Sequence, residues 1–331
     1  TGHVDLDGIA RLRQFAESIP HAAGLSGRLD LAALDVLVSE LTDTRGEVSI
    51  NTEVTGTTRE IDTKGRLEMT GSTRLRDLGI HLENLQFRAE GTDEGIRLGG
   101  QVRSGEGSIS LEGLVSRLPS AESPSRFGLK GERFLAMATP EVQMEISPDL
   151  EVVFTGADLN VTGTVTVPTA KIEVVELPES AVPVSKDVVF VGPEAETDSG
   201  LVALSARVKL VLGDDVFFRG FSFSSFLEGD LEVSERPGQP SQGRGEVDFR
   251  QGFYRGFGQN LNVDPGRLIF AGPLDNPTLD VLASRRFEDN TRVGFKISGF
   301  LQDPTVDTYS EPAKTDDEVM SYILFGRSMR S

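Results

Sequence analysis

Apolar residues recur at every second position over most of the chain, and this period constrains the fold more than any other feature. Such alternation turns one face of each strand toward an apolar core and the other toward water, which is typical of antiparallel or open sheets. The period begins near Gly24, and Gly-rich or charged turns separate the strands. Residues in phase include Leu25, Leu29, Val48, Ile50, Leu67, Met69, Ile96, Leu98, Ile109, Leu111, Leu159, Val161, Val165 and Val167. The sequence therefore predicts a mainly β fold with many strands.

One turn sequence occurs twice near the C-terminal end. Gly272–Asp280 reads GPLDNPTLD and Gly299–Asp307 reads GFLQDPTVD, so both have the form Gly-x-Leu-x-x-Pro-Thr-aliphatic-Asp. Glycine and Asx-Pro pairs favour tight turns, and apolar strand-like residues flank each copy. We interpret the two copies as hairpin turns that keep successive strands of one elongating sheet in register.

Composition narrows the classes of function. The net charge of −19 argues against binding nucleic acid or an anionic membrane surface through bulk electrostatics. The chain has no cysteine, which excludes a disulfide framework, a thiolate metal site and a cysteine nucleophile. It has no apolar run long enough for a membrane helix and no signal peptide at its start. We expect any membrane anchor or export signal to lie upstream of residue 1.

Two segments have helical periodicity. Residues 7–19 carry apolar residues at helical spacing and end at Pro20, which predicts a short amphipathic helix. Near the other end, Thr315–Glu318 fits a capping box and Gly326 fits a helix stop. Because residues 319–325 are apolar nearly all round, this second helix must be buried, either against its own sheet or in a partner.

Three stretches interrupt the alternation. Residues 116–127 and 177–200 are rich in turn-forming residues and predict loops. Residues 133–146 have a mixed pattern, and Pro140 only excludes one continuous helix, so their secondary structure stays open.

No pattern of catalytic, metal-ligating or cofactor-binding residues is present. His3, His21 and His81 are far apart and lack ligand spacing. The acidic pairs Asp214-Asp215 and Asp316-Asp317 fit local hydrogen bonding at a turn and at a helix start better than calcium binding. The sequence indicates neither an enzyme nor a cofactor.

Four stretches of the second half carry a more specific signal. They are VTGTVTVPTAKIEVVELPESAVPVSKDVVFVG (161–192), VKLVLGDDVFFRGFSFSSFLEGDLEV (208–233), RPGQPSQGRGEVDFRQGFYRGFGQNLNVDPGRLIFAGPLDNPTLDV (236–281) and SEPAKTDDEVMSYILFGR (310–327). These stretches resemble the C-terminal region of the TamB family, the inner-membrane subunit of the translocation and assembly module of diderm bacteria. They cover about the last half of the chain in nearly unbroken order, whereas residues 1–150 match only in style.

The resemblance implies a fold, a location and partners. The implied fold is an elongated antiparallel-type sheet curled into a half-pipe (a β-taco) with an apolar inner face. The family is tethered to the inner membrane by an N-terminal helix, which we expect upstream of residue 1, and it crosses the periplasm. Its C-terminal end meets TamA, an outer-membrane barrel, and the family belongs with AsmA-like, bridge-like proteins proposed to carry phospholipid.

Physical reasoning from the residues favours the same function. Exposing a 16-carbon acyl chain to water costs about 13 kcal/mol of free energy, at ~0.8 kcal/mol per methylene. A continuous apolar groove removes that cost without any bond being made or broken. At about 15 residues per strand and turn, the chain supplies on the order of 20 strands and a groove of roughly 100 Å.

We predict two sets of functional residues and three segments. The residues predicted to line a lipid groove are Val208, Leu210, Leu212, Phe221, Phe223, Leu227, Leu231, Val247, Phe249, Leu268, Phe270, Leu279, Val281, Val293, Phe295 and Ile297. The residues predicted to bind the barrel partner are Val319, Met320, Tyr322, Ile323 and Phe325. The predicted segments are 1–150 and 151–314, both half-pipe, and the helix 315–327.

Two alternative functions and one smaller question remain at this point. The chain could be an assembly scaffold that offers sheet edges and its last helix to a barrel or a nascent strand, without conducting lipid. It could also be a rigid β-solenoid stalk with a dry core. A smaller question concerns Arg219, Arg255, Arg285 and Arg286, which either line a polar groove mouth or, as we favour, are scattered solvated charges.

Overall fold

The alternating stretches form the strands of one sheet in a computed structural model that describes residues 23–57, 60–174, 203–256 and 258–327. The sheet has 17 strands. They are β1 (Ala23–Asp30), β2 (Leu41–Thr57), β3 (Glu60–Leu75), β4 (Ile80–Thr92), β5 (Gly95–Ser104), β6 (Gly107–Ser116), β7 (Ser125–Glu132), β8 (Phe134–Ala138), β9 (Val142–Phe154), β10 (Asp158–Glu173), β11 (Ala203–Gly220), β12 (Phe223–Glu235), β13 (Gln242–Gly256), β14 (Gln259–Pro273), β15 (Thr278–Arg286), β16 (Arg292–Phe300) and β17 (Asp303–Glu311).

Helical structure is confined to short elements within the described ranges. They are a 3-10 turn (Leu31–Ala33), α1 (Leu34–Leu37) and α2 (Asp316–Phe325). The helix predicted over residues 7–19 and the insertion predicted over residues 177–200 lie outside the described residues. The loop predicted over 116–127 is present between β6 and β7, although β7 already begins at Ser125. The ambiguous stretch 133–146 forms β8 and the start of β9.

Most strands pair antiparallel with the next strand in sequence, as expected for hairpin-connected strands. Strands β7 and β8 lie end to end along β9, separated at Arg133, whose φ is 46°. The exception in direction is β10 with β11, which pair in parallel. In the described part of the chain β1 pairs only with β2, and β17 only with β16, so the sheet has two edges and is not closed.

The doubled turn is structural, as interpreted from the sequence. Its first copy joins β14 to β15 and its second joins β16 to β17, at the same end of the strands. The backbone N–H of Leu301 donates to the carbonyl oxygen of Pro277 at 2.9 Å. The backbone N–H of Gln302 donates to Oδ1 of Asn276 at 3.0 Å. The two turns are therefore hydrogen-bonded to each other and keep the neighbouring hairpins in register.

The two faces of the sheet differ sharply in chemistry. Directly paired residues on neighbouring strands lie on the same face, so the register assigns every strand residue to a face. One row runs Leu212, Gly229, Val247, Leu268 and Leu279 across five strands and is apolar. The opposite face carries cross-strand ion pairs. They are Arg66–Glu90, Arg88–Glu68, Lys130–Asp149, Lys209–Asp230, Arg250–Glu228 and Arg267–Glu246.

The sheet is a curled half-pipe with the apolar face inside. Leu231 and Val281 are only 7% and 8% exposed, although no second sheet covers this face in the described residues. Their burial comes from apolar neighbours on adjacent strands, which crowd together where a sheet bends toward them. With β7 and β8 sharing one position, the strands extend over roughly 70 Å at ~4.8 Å spacing. The sequence estimate is longer because it counts the whole chain, whereas this length is that of the strands in the described residues.

Two glycines allow a tight approach of β12 and β13. Gly229 and Gly245 have φ angles of 131° and 145°, a region that residues with a Cβ adopt only under strain. A Cβ on Gly229 would lie 2.2 Å from the carbonyl oxygen of Glu246, and one on Gly245 would lie 2.2 Å from that of Asp230. Each glycine thus admits the backbone of the other strand.

The predicted division at residue 150 has no counterpart in strand pairing. Strand β9 spans Val142–Phe154 and pairs with β7 on one side and β10 on the other. The division into two half-pipe segments stays a prediction, since a change in sequence character need not break a sheet.

Candidate functional site: the apolar groove and its rims

The apolar inner face, from here on called the groove, is most densely packed between β9 and β16. One cluster centres on buried Leu261, Val263, Val281 and Ala283, with Phe223, Phe249, Tyr254, Leu279, Phe295 and Ile297 packed against it. A second centres on Val167, Ala170 and Val216, with Met144, Ile146, Leu210, Leu212 and Leu227 against it. Ring contacts such as Phe223 with Phe249, at 5.1 Å between centroids, join the strands side by side.

The structure brings the predicted groove residues together on this one face, with one exception. The register places them on β11 to β16 with side chains on the same side. The exception is Phe221, for which the prediction of a strand position is wrong. Phe221 and Ser222 form the two-residue turn between β11 and β12, with φ angles of 54° and 60°. The Phe221 side chain is 66% exposed.

Sequence reasoning missed several of the most buried groove residues. Leu261 and Val263 precede a register shift in β14, and Tyr254 follows one in β13 near Gln251, whose φ is 52°. Each extra residue shifts the inward-facing positions of the strand by one. A prediction that assumes strict alternation therefore fails beyond the bulge. Pro265 was the available signal, because proline within a strand is typical of a bulge.

Helix α2 lies on the groove face at its β16 end. Val319, Tyr322 and Ile323 pack with Val293 of β16 in a buried cluster, and Phe287 and Phe295 lie against it. The predicted capping box of Thr315 and Glu318 and the stop at Gly326 are both present. The helix therefore covers the last strands of the groove.

This position corrects part of the predicted partner surface. Val319, Tyr322 and Ile323 contact the protein's own sheet and are not available to a partner in this arrangement. These three apolar residues pack against the chain's own sheet, which is the first of the two options that the sequence left open. Met320 is half-buried, whereas Phe325 is 69% exposed and its neighbour Leu324 is exposed as well.

Polar contacts hold α2 in place. The hydroxyl of Tyr322 donates to Oδ2 of Asp289, in the turn between β15 and β16, at 2.5 Å. That bond, with the backbone N–H of Thr291, lowers the pKa of Asp289 below its ordinary value. The ammonium of Lys314 lies 5.1 Å from the centroid of the Tyr322 ring. Helix and turn are thus joined by a carboxylate that stays charged at neutral pH.

The groove has two rims, formed by the ends of the strands. The rim at the ends of β11, β13 and β15 carries the four arginines that the sequence suggested for a groove mouth, and we call it the arginine rim. They are Arg219, Arg255, Arg285 and Arg286. Strand register places Arg219 and Arg255 on the charged face and Arg285 on the groove face. Two depressions open there. One, of about 750 Å³, is lined by Arg219 and Arg255, and the other, of about 560 Å³, by Arg285 and Arg286.

Another broad depression lies on the charged face and does not fit an apolar ligand. It has a volume of about 1160 Å³ and extends from β4 to β10. Glycines such as Gly99 and Gly128 form its floor, and long side chains such as Arg126, Lys130 and Glu151 form its walls. An acyl chain there would contact charged groups, so we place the candidate site in the groove.

Metal-ligating clusters and membrane-spanning helices are two further features of interest for the kind of site. Within residues 23–57, 60–174, 203–256 and 258–327, no group of three or more His, Asp or Glu side chains is placed to hold a metal ion. Over the same ranges, no helix has the length and apolar character needed to cross a membrane.

An open sheet with one apolar and one charged face places the chain in a class of elongated β proteins with an apolar groove. The family model of the TamB C-terminal domain matches residues 84–331. The chain belongs to the TamB family.

A curated relative agrees with this assignment over the whole chain. It is the translocation and assembly module subunit TamB of Haemophilus influenzae (strain ATCC 51907 / DSM 11121 / KW20 / Rd), 26% identical over 357 aligned residues. The alignment covers 100% of this chain and 26% of the relative, so the chain spans about a quarter of the relative's length.

Proposed function

We propose that this chain is part of a conduit that shields phospholipid acyl chains in the groove as they pass between the inner and outer membranes. The observation that carries the proposal is the unbroken apolar face. According to the strand register, apolar or glycine residues occupy the inner face of nearly every strand from Leu29 on β1 to Ile297 on β16. In the described chain α2 covers it at β16, the 3-10 turn places Leu31 beside Gly71 of β3, and no second sheet lies over it.

The physical role of such a face is to remove the free-energy barrier to moving an acyl chain through water. Exposing a 16-carbon chain to water costs about 13 kcal/mol, whereas contact with half-buried leucines and phenylalanines keeps it out of water. No bond is made or broken, so the function needs no catalytic residue and no cofactor. The charged outer face keeps an open apolar groove in solution.

The family assignment supports a cellular setting for this conduit. The relative's name places it in a translocation and assembly module. We infer that this chain works in the periplasm as the C-terminal part of an inner-membrane-anchored protein. Its partner in outer-membrane protein assembly is a barrel of the TamA kind. The exposed Leu324 and Phe325 of α2 are the apolar groups placed to contact it.

A second candidate function is an assembly scaffold without lipid conduction. Strand β17 favours it, because its outer edge is unpaired in the described chain and Val306 is exposed on it. Such an edge accepts a further strand by β-augmentation. A third candidate, a rigid stalk, requires a dry, covered core and is less consistent with the uncovered groove.

Lipid content separates these functions. The chain, purified from cells in a mild detergent and exchanged into buffer without it, is expected to carry phospholipid, measured by organic extraction and mass spectrometry. A periplasmic β protein of similar size, purified in parallel, controls for carry-over. A scaffold or a stalk would carry no more lipid than the control, and that result would refute the conduit.

A further inference from the structure

The inner face of the last strand, β17, has an apolar half and a polar half. Val306 pairs with Ile297 of β16, and Thr308 pairs with Phe295, so both β17 residues lie on the groove face. Ser310 lies two positions further toward the arginine rim and shares that face. The apolar inner face of β16 therefore continues onto β17 at Val306, whereas toward the arginine rim it meets two hydroxyl side chains.

Helix α2 closes the polar half. Val293 of β16, which pairs with Ser310, lies beneath the helix and is 0% exposed. The hydroxyl of Thr308 donates to the carboxylate of Asp316 at the start of α2. The backbone N–H of Lys314 donates to Oγ of Ser310 at 2.7 Å. The two hydroxyl groups of β17 thus hold the start of α2, and the helix occupies the groove on this half.

The other half is open. Val306 is 58% exposed, and Leu301, in the turn between β16 and β17, is 48% exposed. The sheet residues that pack with α2 all lie toward the arginine rim. They are Val293, Phe287 and Phe295. In the described chain the outer edge of β17 pairs with no other strand. The apolar inner face therefore runs from Ile297 over Val306 to the edge of the sheet without a cover.

We propose that acyl chains at the end of the groove follow this open half and cross Ile297 and Val306 to leave or enter the sheet at the edge of β17. The proposal rests on the conduit function proposed above and assigns the opening of the groove to one half of its last strand. An acyl chain on this path keeps apolar contact up to the edge, so its methylenes do not cross a polar stretch. Docked α2 forms one side of the opening, and the turn that joins β16 to β17 forms the other.

Single tryptophans test this path, because the chain has none of its own. Val306→Trp places the reporter in the opening, Phe295→Trp places it beneath α2, and Leu210→Trp places it on the inner face of β11 as a reference. The probe is lysophosphatidylcholine with bromine atoms on its acyl chain, which quench tryptophan on contact, used below its micelle concentration. We expect half-maximal quenching of Val306→Trp at about tenfold lower probe concentration than that of Phe295→Trp, because α2 must undock before an acyl chain reaches position 295.

A helix variant tests whether α2 causes this difference. Ile323→Asp puts a carboxylate on the buried face of α2 and should undock the helix. In that background, quenching of Phe295→Trp should occur at the same probe concentration as quenching of Val306→Trp. Leu324→Asp is the matched control, since its side chain is exposed on the same helix and the change in charge is equal. It should leave the tenfold difference in place.

A milder variant guards against a general loss of structure. Tyr322→Phe removes only the hydroxyl that binds Asp289, so it should narrow the difference while far-UV circular dichroism stays unchanged. Equal quenching of Val306→Trp and Phe295→Trp with α2 otherwise unaltered would overturn the proposed path. Quenching of Leu210→Trp without quenching of Val306→Trp would overturn it as well, and both results leave the conduit intact. A difference that persists in Ile323→Asp would overturn the role of α2 as the side of the opening. Absence of quenching in Leu210→Trp would instead refute the conduit itself.

Discussion

Two aspartates in the groove, introduced as Leu268→Asp with Leu279→Asp, are expected to stop phospholipid from binding at that cross-section. The two leucines are paired directly between β14 and β15 and are half-buried on the inner face. An acyl chain over them would have to desolvate two carboxylates, which costs several kcal/mol and corresponds to more than about a 100-fold loss of affinity. The fold should survive, because water can reach both carboxylates when the groove is empty.

The measurement uses a fluorophore on a single introduced cysteine, Ile297→Cys, which is unique because the chain has none. Ile297 pairs with Val281 on the same face. Spin-labelled phospholipid should quench this fluorophore in the parent, and the two aspartates should abolish the quenching. The control is Ile269→Asp with Thr278→Asp, the adjacent pair of the same strands on the opposite face. If both double variants quench alike, the groove does not hold the acyl chains.

Replacing Gly245 with alanine is expected to destabilise the centre of the sheet by about 3 kcal/mol. The φ of 145° at this position costs a residue with a Cβ about 1–3 kcal/mol. The new methyl group would also lie 2.2 Å from the carbonyl oxygen of Asp230 and 3.0 Å from Cα of Leu231. Both are backbone atoms, so β12 and β13 would have to separate.

Hydrogen exchange reports this effect locally, which suits a long sheet better than a single melting temperature. Amide exchange in β12 and β13 should accelerate on the order of 100-fold in Gly245→Ala. The control is Gly272→Ala, on the same face, where an added Cβ meets no atom within 4 Å. Unchanged exchange in Gly245→Ala would mean that the close approach of the two strands is not needed for the curl.

The apolar face could be predicted from the sequence because it depends on a local rule. Side chains alternate in any strand, so Leu210, Leu231 and Leu268 share a face once their strands pair in register. The capping box at Thr315 and Glu318 was equally predictable, since both partners lie within one helical turn. The doubled turn was interpreted correctly for the same reason.

The features that the sequence did not predict depend on contacts between distant residues or on irregular backbone. Whether Ile323 met the chain's own sheet or a partner was decided by Val293, which lies on a different element. Phe221 broke the alternation because it occupies a turn with positive φ, where asparagine or glycine is usual. The burial of Leu261 was hidden by the bulge that follows it.

The arginine rim shows a further limit of sequence reasoning. Arg219 and Arg255 are separated by a complete hairpin, so their charges looked scattered along the chain. Antiparallel pairing returns alternate turns to the same rim, and the two side chains then line one depression. Their shared location is created by the topology alone, and our sequence-based preference for solvated charges stays a prediction.

The central claim, that acyl chains lie along the inner face, is tested most directly by a cysteine scan with spin-labelled phospholipid as the quencher. Single cysteines on the inner face would replace Leu210, Leu231, Leu268 and Ile297, and outer-face cysteines would replace Val211, Glu232, Ile269 and Ser298 on the same strands. We predict strong quenching at every inner position and little at every outer one. Equal quenching on both faces, or none on either, would contradict the account.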